Sequence, residues 1–269
     1  DEFKSKNMFQ KIWIMSAGVI MNFLLAILIF AHLTYHNGID DPDLRAVVGK
    51  VYPEYPADKL GLQENDEILS VNGIQVADWE SMTQEIHSHP KEEIEISWIR
   101  NGEITTAVIT TESTPQLLGD ELIERGMIGI MPILNHREAG LFESFSVGYR
   151  QTYHFLNLTY RSMMALFKGN VSIKEMAGPI MIAKIAGETA SAGWGALLGL
   201  MAFISINLGF INILPVPGLD GGHVVIALIE GIIRRDIPLK VKMGIQQTGL
   251  VLLLLLFITI MVNDIQRLF

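Results

Sequence analysis

Three long stretches without Asp, Glu, Lys or Arg decide what this chain can fold into. They run from Ile12 to Tyr35, from Ala190 to Leu219 and from Met243 to Asn263. At 1.5 Å per residue the roughly 24 residues of the first reach about 36 Å, enough to cross a hydrocarbon core of about 30 Å. The best helical part of the second is Trp194 to Leu214, and the third contains an unbroken apolar run from Leu250 to Phe257. One buried helix of a soluble protein can be this apolar. Three in one chain read as membrane-spanning helices, with lipid as their surroundings.

The rest of the composition follows that division. Only 18% of the 269 residues are charged, against about 25% in ordinary soluble domains. The charges crowd between about Asp40 and Arg137, as expected for a soluble module joined to membrane segments. The formal net charge of −9 is concentrated there too, which leaves no broad basic face and excludes nucleic acid as a partner. The absence of cysteine removes disulfides and thiolate metal sites. The abrupt start at Asp1-Glu2-Phe3 reads as that of a fragment.

Basic residues near helix ends predict the orientation. Lys4, Lys6 and Lys11 precede the first stretch, and Arg234, Arg235, Lys240 and Lys242 separate the second from the third. Both groups are expected on the cytoplasmic side. The charged module is then outside, and three crossings put Asp264 to Phe269 outside as well.

Within the module, Ala46 to Val51 reads as a strand and Trp79 to Ser88 as a helix, with Trp79, Met82 and Ile86 on one face. Ile94, Ile96 and Trp98 alternate along a strand, and Thr105 to Thr111 returns as another. The pairs Asn72-Gly73 and Asn101-Gly102 suit tight turns that need positive φ. Gly126 to Pro132 reads as a closing strand. The run from Pro56 to Gly73, PADKLGLQENDEILSVNG, resembles a bacterial PDZ domain over about 90 residues, placed at 46–134. That resemblance implies a groove for an extended peptide, such as a newly exposed C-terminus. From Phe145 to Phe167, Phe145, Tyr149, Tyr153, Leu156, Tyr160, Met164 and Phe167 recur at helical spacing. This face suits either a membrane interface or a protein surface, and the region 141–189 is expected to be helical.

The sharpest chemical signal is the end of the second stretch, Asn212-Ile213-Leu214-Pro215-Val216-Pro217-Gly218-Leu219-Asp220-Gly221-Gly222-His223. Two prolines close together cannot continue a helix. Irregular backbone at membrane depth must be buried in protein or line a wet cavity, because lipid satisfies no polar group. Asp220 is the only acid between Glu188 and Glu230. It reads equally as a functional carboxylate in the membrane, where placing a charge costs about 3 kcal/mol, or as the cap of the following helix.

That run is similar to the signature of the site-2 intramembrane metalloproteases, the group that includes the bacterial regulator-of-sigma-E protease. The match continues upstream from Ser205 to Ile211, with Phe203 where the family has Ser. Met176 to Lys184 resembles its Gly-Pro-Ile element. Met15 to Phe23 resembles its Ala-Gly-Pro-x-x-Asn element, with Val19 in place of Pro and Asn22 matched. The resemblance implies a membrane-embedded α-helical bundle with an inserted β-rich PDZ-like domain. It implies a zinc endopeptidase that cuts transmembrane segments of membrane proteins, such as an anti-sigma factor or a signal-peptide remnant, in a bacterial inner membrane. Asp220 is then the third zinc ligand, and Asn212, with Asn22, Pro215 and Pro217 around it, holds the substrate.

The family's first helix carries His-Glu-x-x-His, two zinc ligands and a Glu that activates water. None of the seven His here stands in that motif. His32 and His36 have the spacing, but Leu33 occupies the Glu position and both lie at the outer end of their helix. His87 and His89 read as surface residues, and His223 as a packed or interfacial one. The remaining ligands and the general base are therefore expected upstream of Asp1. The alternative is a non-catalytic membrane scaffold that keeps the fold and a peptide-binding PDZ domain.

Overall fold

Each of the three uncharged stretches is helical in the computed structural model, which describes residues 8–118, 121–172, 177–233, 235 and 237–268. Lys4, Lys6, Arg234 and Met176, used in the sequence reading, lie outside the described residues. The spans are α1 (Met8–Asn37), α6 (Trp194–Ile213) and α8 (Leu239–Leu268). All three are long and apolar enough to cross a membrane. Between them come α4 (Leu141–Lys168), α5 (Pro179–Ala192) and α7 (Asp220–Ile233). Residues 1–37 and 139–269 form one compact unit, and Gly38–Glu138 a second.

Helices in lipid gain no hydrophobic drive from meeting each other, so they rely on close backbone approach and polar contacts. α1 and α6 meet through Ala26, Ile29 and Phe30 on one side and Ala202 and Ile206 on the other. They run antiparallel: Gly195 lies near Leu33 and Asn37, whereas Gly209 lies against Asn22 and Phe23. The buried Ser205 hydroxyl donates to the Asn22 carbonyl oxygen at 2.9 Å.

α4 packs on α1 through small residues and through Phe155, whose ring stacks on Phe30 with centroids 5.6 Å apart, and not through its tyrosines. Ser144, Gly148 and Thr152, four residues apart, are buried. At Gly148 the helices are so close that a Cβ would stand 2.6 Å from the Ile27 carbonyl oxygen. The Tyr149, Tyr153 and Tyr160 rings remain more than half exposed. The Tyr-rich face is thus the outward one, and a stripe of small residues together with Phe155 and Leu156 makes the protein contact.

α8 extends beyond the 243–263 window and takes Asp264 into the helix. Asp264, expected beyond the last span, is 1% exposed.

The second unit is β-rich. β3 (Glu67–Val71), β4 (Ile74–Gln75), β5 (Glu93–Arg100) and β6 (Glu103–Thr110) form one antiparallel sheet in the order β4-β3-β5-β6. Its two-residue turns have left-handed φ at both centres: 51° and 76° at Asn72 and Gly73, 52° and 87° at Asn101 and Gly102. Such turns match the strand twist and favour Asn-Gly. After the short α2 (Pro56–Leu60), α3 (Trp79–His87) starts with a capping box between Asp78 and Ser81, and its Met82 and Ile86 pack on Ile68, Val71, Ile94 and Ile96. Asp66, 1% exposed, is held by Arg100 through contacts of 2.7 and 2.6 Å to its two oxygens.

Three further strand pairs complete the unit. β2 (Val48–Val51) pairs with β9 (Ile130–Pro132), so Gly126 to Pro132 is not one strand but two, parted by Gly129 at φ 81°. β7 (Glu112–Leu118) and β8 (Glu121–Met127) form a hairpin. β1 (Ile39–Pro42) pairs with β10 (Leu134–Arg137), so the compact unit is wider at both ends than 46–134.

Candidate functional site

α6 stops where its sequence forbids continuation. A residue before proline is pushed out of helical geometry, and Leu214, before Pro215, is extended at φ −63° and ψ 142°. The Val216 N–H turns back to the Leu214 carbonyl at 2.7 Å, and the Leu219 N–H to the Val216 carbonyl at 3.1 Å. Gly218 then takes φ 97°, a left-handed value that side chains resist. The chain re-enters helix at Asp220.

This doubled-back segment sits tightly on the first turn of α7. A Cβ at Gly221 would collide with the Ile213 and Leu214 carbonyls, and one at Gly222 with the Val216 carbonyl. Both glycines are buried. The fold of the segment therefore sets where the side chain of Asp220 stands. Its Oδ2 lies 3.6 Å from where a side chain at Gly18 of α1 would begin. Among the described residues the carboxylate has no hydrogen bond or ion pair, and neither has the Asn212 carboxamide. Both groups are half-buried.

The other candidates fall around the same helix ends. Asn22 is one turn from Gly18 on α1, and its Cβ is 3.3 Å from a Cβ position at Gly209; Gly209 is one turn before Asn212 on α6. Pro217 is covered by α8, where its carbonyl allows no Cβ at Gly249, while Pro215 is exposed. α1, α6 and the loop thus bring Asp220, Asn22, Pro217 and Asn212 to one end of the helical unit.

His32 and His36 lie apart from Asp220, whereas His223 stands one turn after it on α7. His32 and His36 touch each other, ring centroids 4.4 Å apart, at the far end of α1, about 21 to 27 Å along the helix from Gly18. His223 Nδ1 faces Gln246 Nε2 at 3.3 Å. The carboxamide donates there, so His223 Nδ1 accepts and the ring is engaged by α8. No group of three or more His, Asp or Glu able to hold a metal occurs among the described residues. One hard oxygen donor with no competing partner suits a zinc ion; these residues provide that one donor and not a full coordination shell.

Sequence reasoning missed the support from α8. Lys242 Nζ is 2.6 Å from Glu230 Oε1, and Gln246 and Gly249 back His223 and Pro217. Gln246 in a greasy stretch was the available signal.

The β-rich unit has its own cleft of about 220 Å³, between α3 and residues 127–130, lined by Tyr52, Tyr55, Thr83, Ile86, His87 and Ile130. His87 and His89 are half-buried, not the surface residues the sequence suggested. Arg125 Nη1 is 3.1 Å from His87 Nδ1. Since guanidinium only donates, that His87 nitrogen accepts and the ring is neutral. Burial first, and then the Arg125 charge, hold the His87 pKa below its ordinary 6.5. The unfolded chain consequently takes up a proton here before the folded one does. Stability from this residue is complete above pH 6.5 and is lost as pH falls toward the folded pKa. Denaturant unfolding across that range is expected to show the loss, and His87→Gln to flatten it.

Comparison with known proteins bears on both units. A family model described as Peptidase family M50 matches residues 1–256. The chain is 34% identical over 268 residues to the zinc metalloprotease RasP of Bacillus licheniformis and 30% identical over 269 to the probable protease eep of Enterococcus faecalis. Each alignment takes in 100% of this chain and 62% of the relative, so the chain spans less than two thirds of their length. A putative zinc metalloprotease of Fusobacterium nucleatum is 31% identical, over 99% of this chain and 77% of its own. Among solved structures, the PDZ domain of an SdrC-like protein from Listeria monocytogenes aligns with 35% of this chain and 94% of its own at 18% identity, with a TM-score of 0.28.

Proposed function

The chain belongs to peptidase family M50, and from that premise we propose that the protein containing it is a membrane-embedded zinc endopeptidase cutting transmembrane segments of other membrane proteins. The observation that carries this reading is a carboxylate without a partner among the described residues, Asp220, presented by broken backbone at the end of an apolar helix.

In this proposal Asp220 gives zinc one oxygen ligand, and the rest of the shell and the general base lie outside the described residues. Zinc, when bound, brings the pKa of a coordinated water to about 7 and polarises a carbonyl oxygen. This chain's own residues do the positioning. Asn212 directs its carboxamide N–H at the scissile carbonyl, where a preset donor stabilises developing negative charge. Asn22, half-buried on the facing helix, holds the substrate backbone from the other side. Pro215 and Pro217 keep the segment from re-forming helix, so an unwound substrate finds irregular backbone to lie against.

In this proposal this end lies at the cytoplasmic face of a bacterial inner membrane, a reading that the basic residues Lys11, Arg235, Lys240 and Lys242 support. The β-rich unit is then extracytoplasmic. There its cleft takes a peptide C-terminus and admits substrates already trimmed, an anti-sigma factor or a signal-peptide remnant being of the fitting kind.

The test uses the full-length protein in proteoliposomes with a transmembrane substrate. Chelation is expected to stop cleavage and zinc to restore it, and deletion of residues 46–132 to permit cutting of untrimmed substrate. No cleavage in the zinc-loaded protein would leave a non-catalytic scaffold.

A further inference from the structure

Most of α8 faces outward: Leu250, Val251, Leu252, Leu254, Leu255 and Phe257 are all at least half exposed. What ties the helix to its unit is one stripe. At one end Lys242 meets Glu230, Gln246 meets His223, Gly249 lies on Pro217, and Leu253 Cδ1 is 3.6 Å from a Cβ position at Gly218. At the other end Ile260 and Asp264 meet Gly178. Positions spaced by three, four or seven residues share a helix face.

The far end is a helix cap supplied from a different helix. α5 begins with Gly178 as N-cap and Pro179 behind it, so the cap residue has no side chain to offer. Asp264 reaches in from α8, 86 residues away in sequence, and accepts the Gly178 N–H at 2.9 Å on Oδ1. Its Oδ2 accepts the Ile180 and Met181 N–H groups at 3.0 and 3.1 Å. Pro179 has no N–H. One carboxylate therefore takes the free donors at the start of α5, where the helix dipole also favours negative charge. The approach requires glycine: a Cβ at position 178 would stand 2.5 Å from Asp264 Oδ2 and 2.7 Å from Ile260.

We propose that Asp264 is a positioning residue for the candidate zinc site: capping α5 fixes the axial register of α8, which keeps Gly249, Gln246 and Lys242 against the segment that carries Asp220. From Gly249 to Asp264 is about 22 Å of helix. A slip of one residue moves α8 by 1.5 Å and turns its stripe by about 100°, enough to take Gly249 off Pro217. The functional half of this inference rests on Asp220 being a zinc ligand; the mechanical half does not.

The experiment separates the two halves. Residues 1–269 contain no cysteine, so spin labels at Ile229→Cys and Met243→Cys, both on exposed positions of α7 and α8, report the distance between those helices. This is done in the full-length protein with any other cysteine removed. The unmutated protein is expected to give one narrow distance distribution. Asp264→Asn, which puts an NH2 group against N–H donors at one of the two oxygen positions that together accept three N–H groups, and Gly178→Ala, which keeps the carboxylate, are each expected to broaden it or shift it by about 1.5 Å or more. Both are expected to lower kcat about 10- to 100-fold with little change in KM, whereas Gly244→Ala changes neither. An unchanged distance in folded Asp264→Asn and Gly178→Ala proteins overturns the proposal. A changed distance in a protein that cleaves nothing even without these substitutions upholds the latch and removes the peptidase reading instead.

Discussion

Asp220→Asn in the full-length protein is expected to reduce peptide hydrolysis by about a thousandfold or more, at least the loss seen when one preset electrostatic group is removed from an active site. Asparagine keeps the size and the hydrogen-bonding reach, so α7 and the Leu214–Leu219 segment should form as before. What goes is the negative charge. The carboxylate has no ion pair or hydrogen bond among the described residues, so no structural partner is orphaned and membrane insertion and thermal stability should hold. If the residue only caps α7, the amide would serve nearly as well, and activity would survive. Comparison of cleavage rate with membrane-inserted protein level therefore tells ligand from cap.

Gly221→Ala is expected to be nearly as damaging, by a different route. The added methyl would meet two backbone carbonyls, those of Ile213 and Leu214, and backbone cannot rotate away as a side chain does. Overpacking of this kind costs about 1 to 3 kcal/mol, and the strain falls on the segment that aims Asp220. Zinc content and cleavage should both drop, with a lowered unfolding temperature. Gly244→Ala is the matched control. It also lies in a helix but has open space around it, and the change should be neutral or stabilising by up to about 1 kcal/mol. Equal behaviour of the two variants would mean that the tight turn on α7 has no role in the site.

The parts of this fold that could be read in advance were those with one loud local cause. Long uncharged stretches have no alternative to helix in lipid, and Asn-Gly between alternating strands has few alternatives to a tight hairpin. The β7–β8 hairpin was missed because Pro115 within β7 weakens the strand pattern. The packing face of α4 was missed because seven large residues at helical spacing outweighed Ser144, Gly148 and Thr152, whose value is only that they let another backbone approach. Asp264 fell beyond the last span because hydropathy ends at the first charge. Its burial depends on three N–H groups 83 to 86 residues away, and no local pattern encodes that. At the candidate site the motif around Asp220 was legible, since proline and glycine break a helix visibly. Its supports on α8 were not, because a glycine such as Gly249 reveals its purpose only when the neighbour is known.

Zinc K-edge X-ray absorption on the intact protein, with and without Asp220→Asn, bears most directly on whether this carboxylate holds a metal. One zinc per chain in a nitrogen and oxygen shell, with an oxygen near 2.0 to 2.2 Å that is lost in the variant, is the predicted result. A protein that binds no zinc, or a first shell that the substitution leaves untouched, would contradict it.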